Sequence, residues 1–208
     1  MIDNKKLIII PILLFLLFTL SYIKITTKND STKFKEEYES LNKTNYKVAI
    51  SSNNNIKYSN YKEIFNVLEN KTGIIFLGYK EDDNSRYAIN ILLKVLKKNN
   101  NKETIYYLDI HNDMDSYVIE NNKLVYAKDD TGKDIKGTKN YFKLIKYLDN
   151  YLGDYIIMYE DKEYPTNEKR IPIPFIIFVE NGKIKSAEYI YMDISEDEVY
   201  NLLESYVK

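Results

Sequence analysis

The sequence predicts an α/β fold, because apolar strands alternate with amphipathic helices along most of the chain. Residues 73–79 (GIIFLGY) are rich in β-branched and aromatic side chains, which is typical of a central strand covered on both faces. Between residues 86 and 98 the apolar positions recur at spacings of three and four, the periodicity of an amphipathic helix. A second apolar run, Thr104 to Ile110, completes a β-α-β unit, whose strands we expect to be parallel.

The segment before this unit predicts a helix and a short strand. Ser31 or Thr32 is the expected N-cap of a helix that continues to Leu41. The residues Lys47–Ile50 have the composition of a short strand, and the serines and asparagines at 51–55 indicate a turn.

Polar residues mark the starts of two further helices and of the long helix after residue 85. Ser59 is the expected N-cap of a helix over residues 61–69, and Thr138 that of a helix reaching residue 151. One of the four polar residues at 82–85 is expected to cap the long helix, since the helix dipole stabilises acidic charge there.

The remainder of the chain predicts an insertion and a final hairpin. Residues 111–136 are polar, with one small strand at 121–126, residues 155–159 resemble a strand, and residues 161–170 a loop. Asn181-Gly182 is a strong hairpin-turn signal.

The flanking runs 175–179 and 183–191 should therefore pair as antiparallel strands. Ser195, with Glu198 three residues later, predicts a capping box at the start of the closing helix.

An uncharged N-terminal run, Leu7–Ile23, predicts a membrane-spanning helix. Roughly 17 residues at 1.5 Å each span about 25 Å, close to the thickness of a hydrocarbon core. The run also fits a cleaved signal peptide, but the absence of an A-x-A-like site favours a retained anchor. We expect a single-pass protein of the cell membrane whose C-terminal part is extracytoplasmic.

Composition excludes several classes of function. The 208 residues contain no cysteine, so disulfides, zinc-thiolate sites and thiol nucleophiles are impossible. A formal net charge of −1 gives no reason to expect a nucleic-acid partner. The segment 109–115 offers oxygen and imidazole ligands at alternate positions, but its spacing matches no metal motif. We therefore expect neither a metal nor another cofactor. No G-x-S-x-G nucleophile elbow exists, so we do not expect hydrolase chemistry either.

The run from Gly73 to Ala88, GIIFLGYKEDDNSRYA, resembles the strand and active-site loop of thioredoxin-like proteins. The run particularly resembles the extracytoplasmic proteins of this kind in Gram-positive bacteria and the bacteriocin-transport accessory proteins. The motif of these proteins is roughly G-[VI]-[VI]-[YF]-[FI]-G-F-x-x-C-P-x-C-R. Asp82 and Ser85 stand at the two cysteine places, and Arg86 matches. Residues 170–183 resemble the segment that holds the cis-proline of this fold, with Pro174 in that place.

The resemblance covers residues 46–208 and implies a three-layer α/β/α sandwich with a mixed sheet, in the element order β-α-β-α-β-β-α. It divides the chain into an anchor (1–24), a tether with a short helix (25–45) and a thioredoxin-like domain with insertions near 110–136 and 160–171.

The resemblance also implies a site that can bind but not react, because both catalytic thiols are missing. An extended peptide or exported protein would bind beside the loop, at a face shared by Asp82 and Pro174. The candidate binding residues are Tyr79, Asp82, Asp83, Ser85, Arg86, Ile173 and Pro174. Asp82 or Asp83 could instead serve only as a helix cap.

Two alternatives to a binding or export-accessory module stay open. One is a thiol-disulfide oxidoreductase by descent, and the other is a structural subunit of a membrane complex.

Overall fold

The computed structural model describes residues 29–207. The α-helices are α1 (Asp30–Glu39), α2 (Tyr61–Asn70), α3 (Asp83–Lys98), α4 (Lys139–Tyr147) and α5 (Glu196–Val207). The strands are β1 (Ile56–Tyr58), β2 (Gly73–Leu77), β3 (Ile105–Leu108), β4 (Tyr117–Glu120), β5 (Lys123–Tyr126), β6 (Asp154–Tyr159), β7 (Lys162–Lys169), β8 (Phe175–Glu180) and β9 (Lys183–Tyr189). Short 3-10 helices occupy His111–Asp113 and Asp149–Tyr151.

The predicted membrane span, Leu7–Ile23, lies outside the described residues. Between residues 29 and 207, none of the helices has both the length and the apolar character needed to cross a bilayer.

The central sheet has five strands in the order β1-β3-β2-β8-β9. Strands β1 and β2 run parallel to β3, whereas β8 is antiparallel to β2 and β9 antiparallel to β8. The sheet is therefore mixed. The predicted α/β class, the parallel β2-α3-β3 unit and the antiparallel final hairpin are confirmed.

Helices cover both faces of the sheet. Since successive side chains of a strand point to opposite faces, each central strand contributes to two cores. In β2, Ile74 and Phe76 join the core formed with α1, α3 and α5. Ile75 and Leu77 join a second core, formed with α2 and α4. All five β2 residues are consequently buried, as the unbroken apolar run predicted.

Helix α1 belongs to the first of these cores. Phe34 and Tyr38 are fully buried, and their rings stack with centroids 4.0 Å apart. The predicted cap was wrong: Asn29 rather than Ser31 or Thr32 caps α1, and its side chain accepts a hydrogen bond from Thr32 N–H.

The predicted strand at Lys47–Ile50 is absent, because side chains rather than a neighbouring strand satisfy its backbone. Asn42 Oδ1 accepts from Val48 N–H at 2.9 Å, and Glu39 Oε1 accepts from Ile50 N–H at 2.9 Å. The strand that lies beside β3 at one edge of the sheet is instead β1, which the sequence did not indicate.

The predicted loop at 161–170 was also wrong, because β7 pairs with β6 as an antiparallel hairpin. Its residues are mostly polar, exposed or half-buried, and lack the apolar alternation on which the prediction of a strand depends. Of the other helix starts, Thr138 and Ser195 cap α4 and α5 as predicted, whereas Asn60 rather than Ser59 caps α2.

Gly182, in the β8-β9 turn, is required both by its backbone conformation and by close packing. Its φ of +73° lies in the left-handed region, and its N–H donates to Lys71 O at 2.8 Å. A Cβ atom at this position would overlap the carbonyl of Glu69 at the end of α2. The turn thereby ties the final hairpin to α2.

We predict that Gly182→Ala destabilises the full-length protein by about 2–4 kcal/mol, from backbone strain together with the steric overlap. Gly132→Ala is the matched control, since Gly132 has a φ of +81° but no neighbouring atom near a Cβ. That variant should lose only about 1 kcal/mol. Urea unfolding measures both, and equal losses would contradict the packing argument.

Candidate functional site

One end of the central sheet brings the ends of three strands together. The register aligns Leu77, at the end of β2, with Phe175 at the start of β8. It also aligns Phe175 with Tyr189 at the end of β9. The chain segments that continue beyond this row therefore meet at the same edge of the sheet.

These segments border a cleft with a volume of about 780 Å³ that is open to solvent. Tyr79 and Asp82 line it from the loop after β2, Ile173 from the segment before β8, and Tyr191 from the segment after β9. The β6-β7 hairpin supplies a further wall through Tyr155. The cleft is thus built partly by the sheet and partly by the β6-β7 hairpin.

Asp82 has a capping role and also borders the cleft. Its Oδ2 accepts a hydrogen bond from Ser85 N–H at 2.6 Å, which makes it the N-cap of α3. Ser85, at the second cysteine place, is fully buried. Its hydroxyl lies 3.4 Å from Tyr79 N, from which it accepts a hydrogen bond. Of Asp82 and Ser85, only Asp82 therefore lines the cleft.

Arg86 is fully buried and does not line the cleft. Its Nε donates to Tyr46 O at 2.6 Å, its Nη1 to Tyr38 O at 2.8 Å and to Lys80 O at 3.1 Å, and its Nη2 to Asn42 Oδ1 at 2.8 Å. Burial lowers the pKa of Arg86, and neighbouring negative charge opposes that shift. This residue fixes backbone segments rather than presenting its charge to a ligand.

The other two predicted residues lie beside the cleft rather than in its lining. Asp83 is exposed, and its Oδ1 accepts from Tyr46 N–H at 2.7 Å. Pro174 is buried, and the peptide bond that joins it to Ile173 is cis. The structure therefore brings Tyr79, Asp82 and Ile173 together and leaves the remaining candidates in supporting positions.

The backbone of Ile173 is available for hydrogen bonding. Within residues 29–207, neither its N–H nor its C=O has a hydrogen-bond partner, although the residue is half-buried and lines the cleft. Buried backbone groups are nearly always paired. An unpaired amide and carbonyl in a cleft wall are therefore suited to an added extended chain.

Tyrosine side chains also line the cleft, among them Tyr79 and Tyr189. Burial and the charges of Asp82 and Asp109 raise the pKa of Tyr79. Burial, a hydrogen bond with Tyr191 and the charge of Asp82 raise the pKa of Tyr189. Both hydroxyls therefore stay protonated at neutral pH, which suits hydrogen bonding and packing rather than nucleophilic chemistry.

Other parts of the described chain offer weaker sites. Between residues 29 and 207, no three His, Asp or Glu side chains converge to hold a metal ion. His111 instead packs against Tyr79, with ring centroids 4.3 Å apart. A pocket of about 460 Å³ lies at the C-terminal end of α3. Two of its asparagines are already engaged: Asn55 donates to the carbonyl of Asn101, and Asn101 donates to that of Val207.

No protein-family model matches this chain, and no curated protein matches it either.

Sequence reasoning missed the residues that the hairpin and its flanks bring to the cleft, of which Arg170 and Tyr155 are the clearest. The position of the β6-β7 hairpin beside the sheet depends on tertiary contacts, which local sequence patterns do not encode. One usable signal was present: of the 30 basic residues, only Arg86 and Arg170 are arginines.

We predict that Arg86→Met destabilises the full-length protein by at least about 3 kcal/mol, because several acceptors that lose a partner cost about 1–3 kcal/mol each. Arg170→Met, at the only other arginine, is the matched control and should change stability by less than about 1 kcal/mol. Urea unfolding compares them, and a similar loss in both variants would refute the proposed anchoring role of Arg86.

Proposed function

We propose that this chain is a thioredoxin-like protein without a redox centre, which binds an extended peptide in the cleft beside the start of α3. The unpaired backbone of Ile173, in the wall of an open cleft rich in tyrosine, carries this proposal. Peptide backbones that add to such groups gain main-chain hydrogen bonds, while side-chain pockets give specificity.

The arrangement of elements supports the thioredoxin-like class. With α1 and the β4-β5 and β6-β7 hairpins set aside, the order is β1-α2-β2-α3-β3-α4-β8-β9-α5. The mixed sheet has helices on both faces, and Asp82 and Ile173 border one cleft. This is the relation between helix start and proline segment that the resemblance implies.

The chemistry of the cleft supports binding over catalysis. Thiol-disulfide exchange needs a thiolate nucleophile, and the chain contains no cysteine. The cleft tyrosines Tyr79 and Tyr189 keep their protons at neutral pH. In this proposal the run 7–23 anchors the protein in the membrane, and the ligand is an exported peptide or protein outside the cell.

We predict that Tyr191→Ala weakens peptide binding about tenfold or more, because exposed aromatic residues in a binding cleft often dominate affinity. Peptides selected from a random phage-displayed library on the full-length protein in detergent serve as probes. Their affinity is measured by fluorescence anisotropy.

Tyr206→Ala is the matched control for this measurement. Tyr191 and Tyr206 are 45% and 38% exposed, and each packs against one aromatic ring, that of Tyr189 or Phe178. Only Tyr191 lines the cleft. Equal effects of the two substitutions, or the absence of any selected peptide, would reject the proposed site.

We predict that Asp82→Cys/Ser85→Cys forms an intramolecular disulfide on oxidation and gains insulin-reducing activity with dithiothreitol. The N-terminus of α3 should lower the pKa of the thiol at position 82 and so favour its thiolate. The wild-type chain should show no activity above the dithiothreitol background.

The single variants Asp82→Cys and Ser85→Cys are the controls, since neither can form an intramolecular disulfide. Thiol titration and circular dichroism accompany the assay. A double variant that is folded by circular dichroism but forms no disulfide would count against the thioredoxin-like geometry.

A further inference from the structure

Arg170 is a charged residue of the cleft that the proposed function does not yet use. It lines the same wall as Ile173, three residues before it. The chain otherwise uses lysine for almost all of its positive charge, and the other arginine, Arg86, makes four hydrogen bonds in the protein interior. Arginine differs from lysine in its planar fork of N–H donors, which matches a carboxylate.

The guanidinium of Arg170 is held in place but is not neutralised. Its Cζ lies 4.6 Å from the centroid of the Tyr155 ring, and its Nη1 donates to the hydroxyl of the same residue. Its Nη2 lies 3.9 Å from Met114 Sδ, a weak acceptor. No carboxylate between residues 29 and 207 lies within ion-pair distance of Arg170, whereas the adjacent Lys169 pairs with Asp149 at 2.9 Å.

A half-buried guanidinium with unused donors favours an anionic ligand group. A carboxylate can accept two parallel N–H bonds from it, and charge-assisted bonds of this kind are stronger than neutral ones. Asp82 and Asp154 also line the cleft, and they disfavour a group with more than one negative charge. A single carboxylate is therefore the anion that fits this cleft best.

The position of the carboxylate along the peptide follows from the spacing of Arg170 and Ile173. Their Cα atoms are at most about 10 Å apart, because three residues of fully extended chain reach no further. We propose that the cleft selects extended peptides that carry a carboxylate two or three residues from the position paired with Ile173, and that Arg170 binds this carboxylate. This inference rests on the proposed peptide-binding function.

The test uses peptides selected on the full-length protein in detergent, each synthesised with its Asp or Glu and with the matching amide. The acidic form should bind wild type about tenfold or more tightly than the amide form. A further pair with free and amidated C termini distinguishes a side-chain carboxylate from a terminal one. Arg170→Gln should abolish the preference for acid without weakening the amide form, and Arg170→Lys should keep part of it.

Lys169→Gln is the matched control, because it removes the neighbouring, ion-paired cation; it should leave the preference unchanged. Peptides that bind and are weakened by Tyr191→Ala, but show no preference for acid, would overturn the role of Arg170 while the binding site stands. A preference for acid that survives in Arg170→Gln would overturn it equally. If no peptide binds wild type more tightly than Tyr191→Ala, the proposed function itself fails.

Discussion

The geometry of the cleft depends on a buried charge outside it. The guanidinium of Arg86 is fully enclosed and is stabilised by neutral acceptors, the carbonyls of Tyr38, Tyr46 and Lys80 and the amide of Asn42. Burying a cation without hydrogen bonds would cost many kcal/mol, so these acceptors must hold their positions. The bonds thereby fasten the start of α3 to the chain that follows α1, and they set the loop that carries Tyr79 and Asp82.

The central sheet supplies the opposite side of the cleft. The last residue of β2, the first of β8 and the last of β9 lie in one row. The segments around Ile173 and Tyr191 therefore lie beside the loop that Arg86 fixes. The close approach of Gly182 to α2 anchors the far end of the same hairpin. A ligand in the cleft would therefore meet two walls whose positions are set before binding, which reduces the entropy lost on association.

The sequence predicted those features that have a local physical cause. The burial of the whole of β2, the Asn181-Gly182 turn and a cap for α3 among residues 82–85 each follow from patterns within a few residues. Prediction from the sequence failed where contacts between residues far apart in the chain decide the structure. The segment 47–50 has the composition of a strand, yet side chains of α1 and of the residues after it form the hydrogen bonds of its backbone. Strand β7 forms only because β6 lies beside it.

The same distinction applies to the candidate site. Tyr79, Asp82 and Ile173 were expected at a binding site because of the resemblance described above, and all three border the cleft. The sequence could not show that Arg86 lies in the interior. Nor could it show that Arg170 lies in the cleft, because tertiary contacts, rather than a local pattern, bring Tyr155 of the β6-β7 hairpin to this arginine. An aspartate cap stabilises the helix end through its hydrogen bond and its charge. Asp82 therefore stabilises the start of α3, which borders the cleft through Asp82 and Asn84.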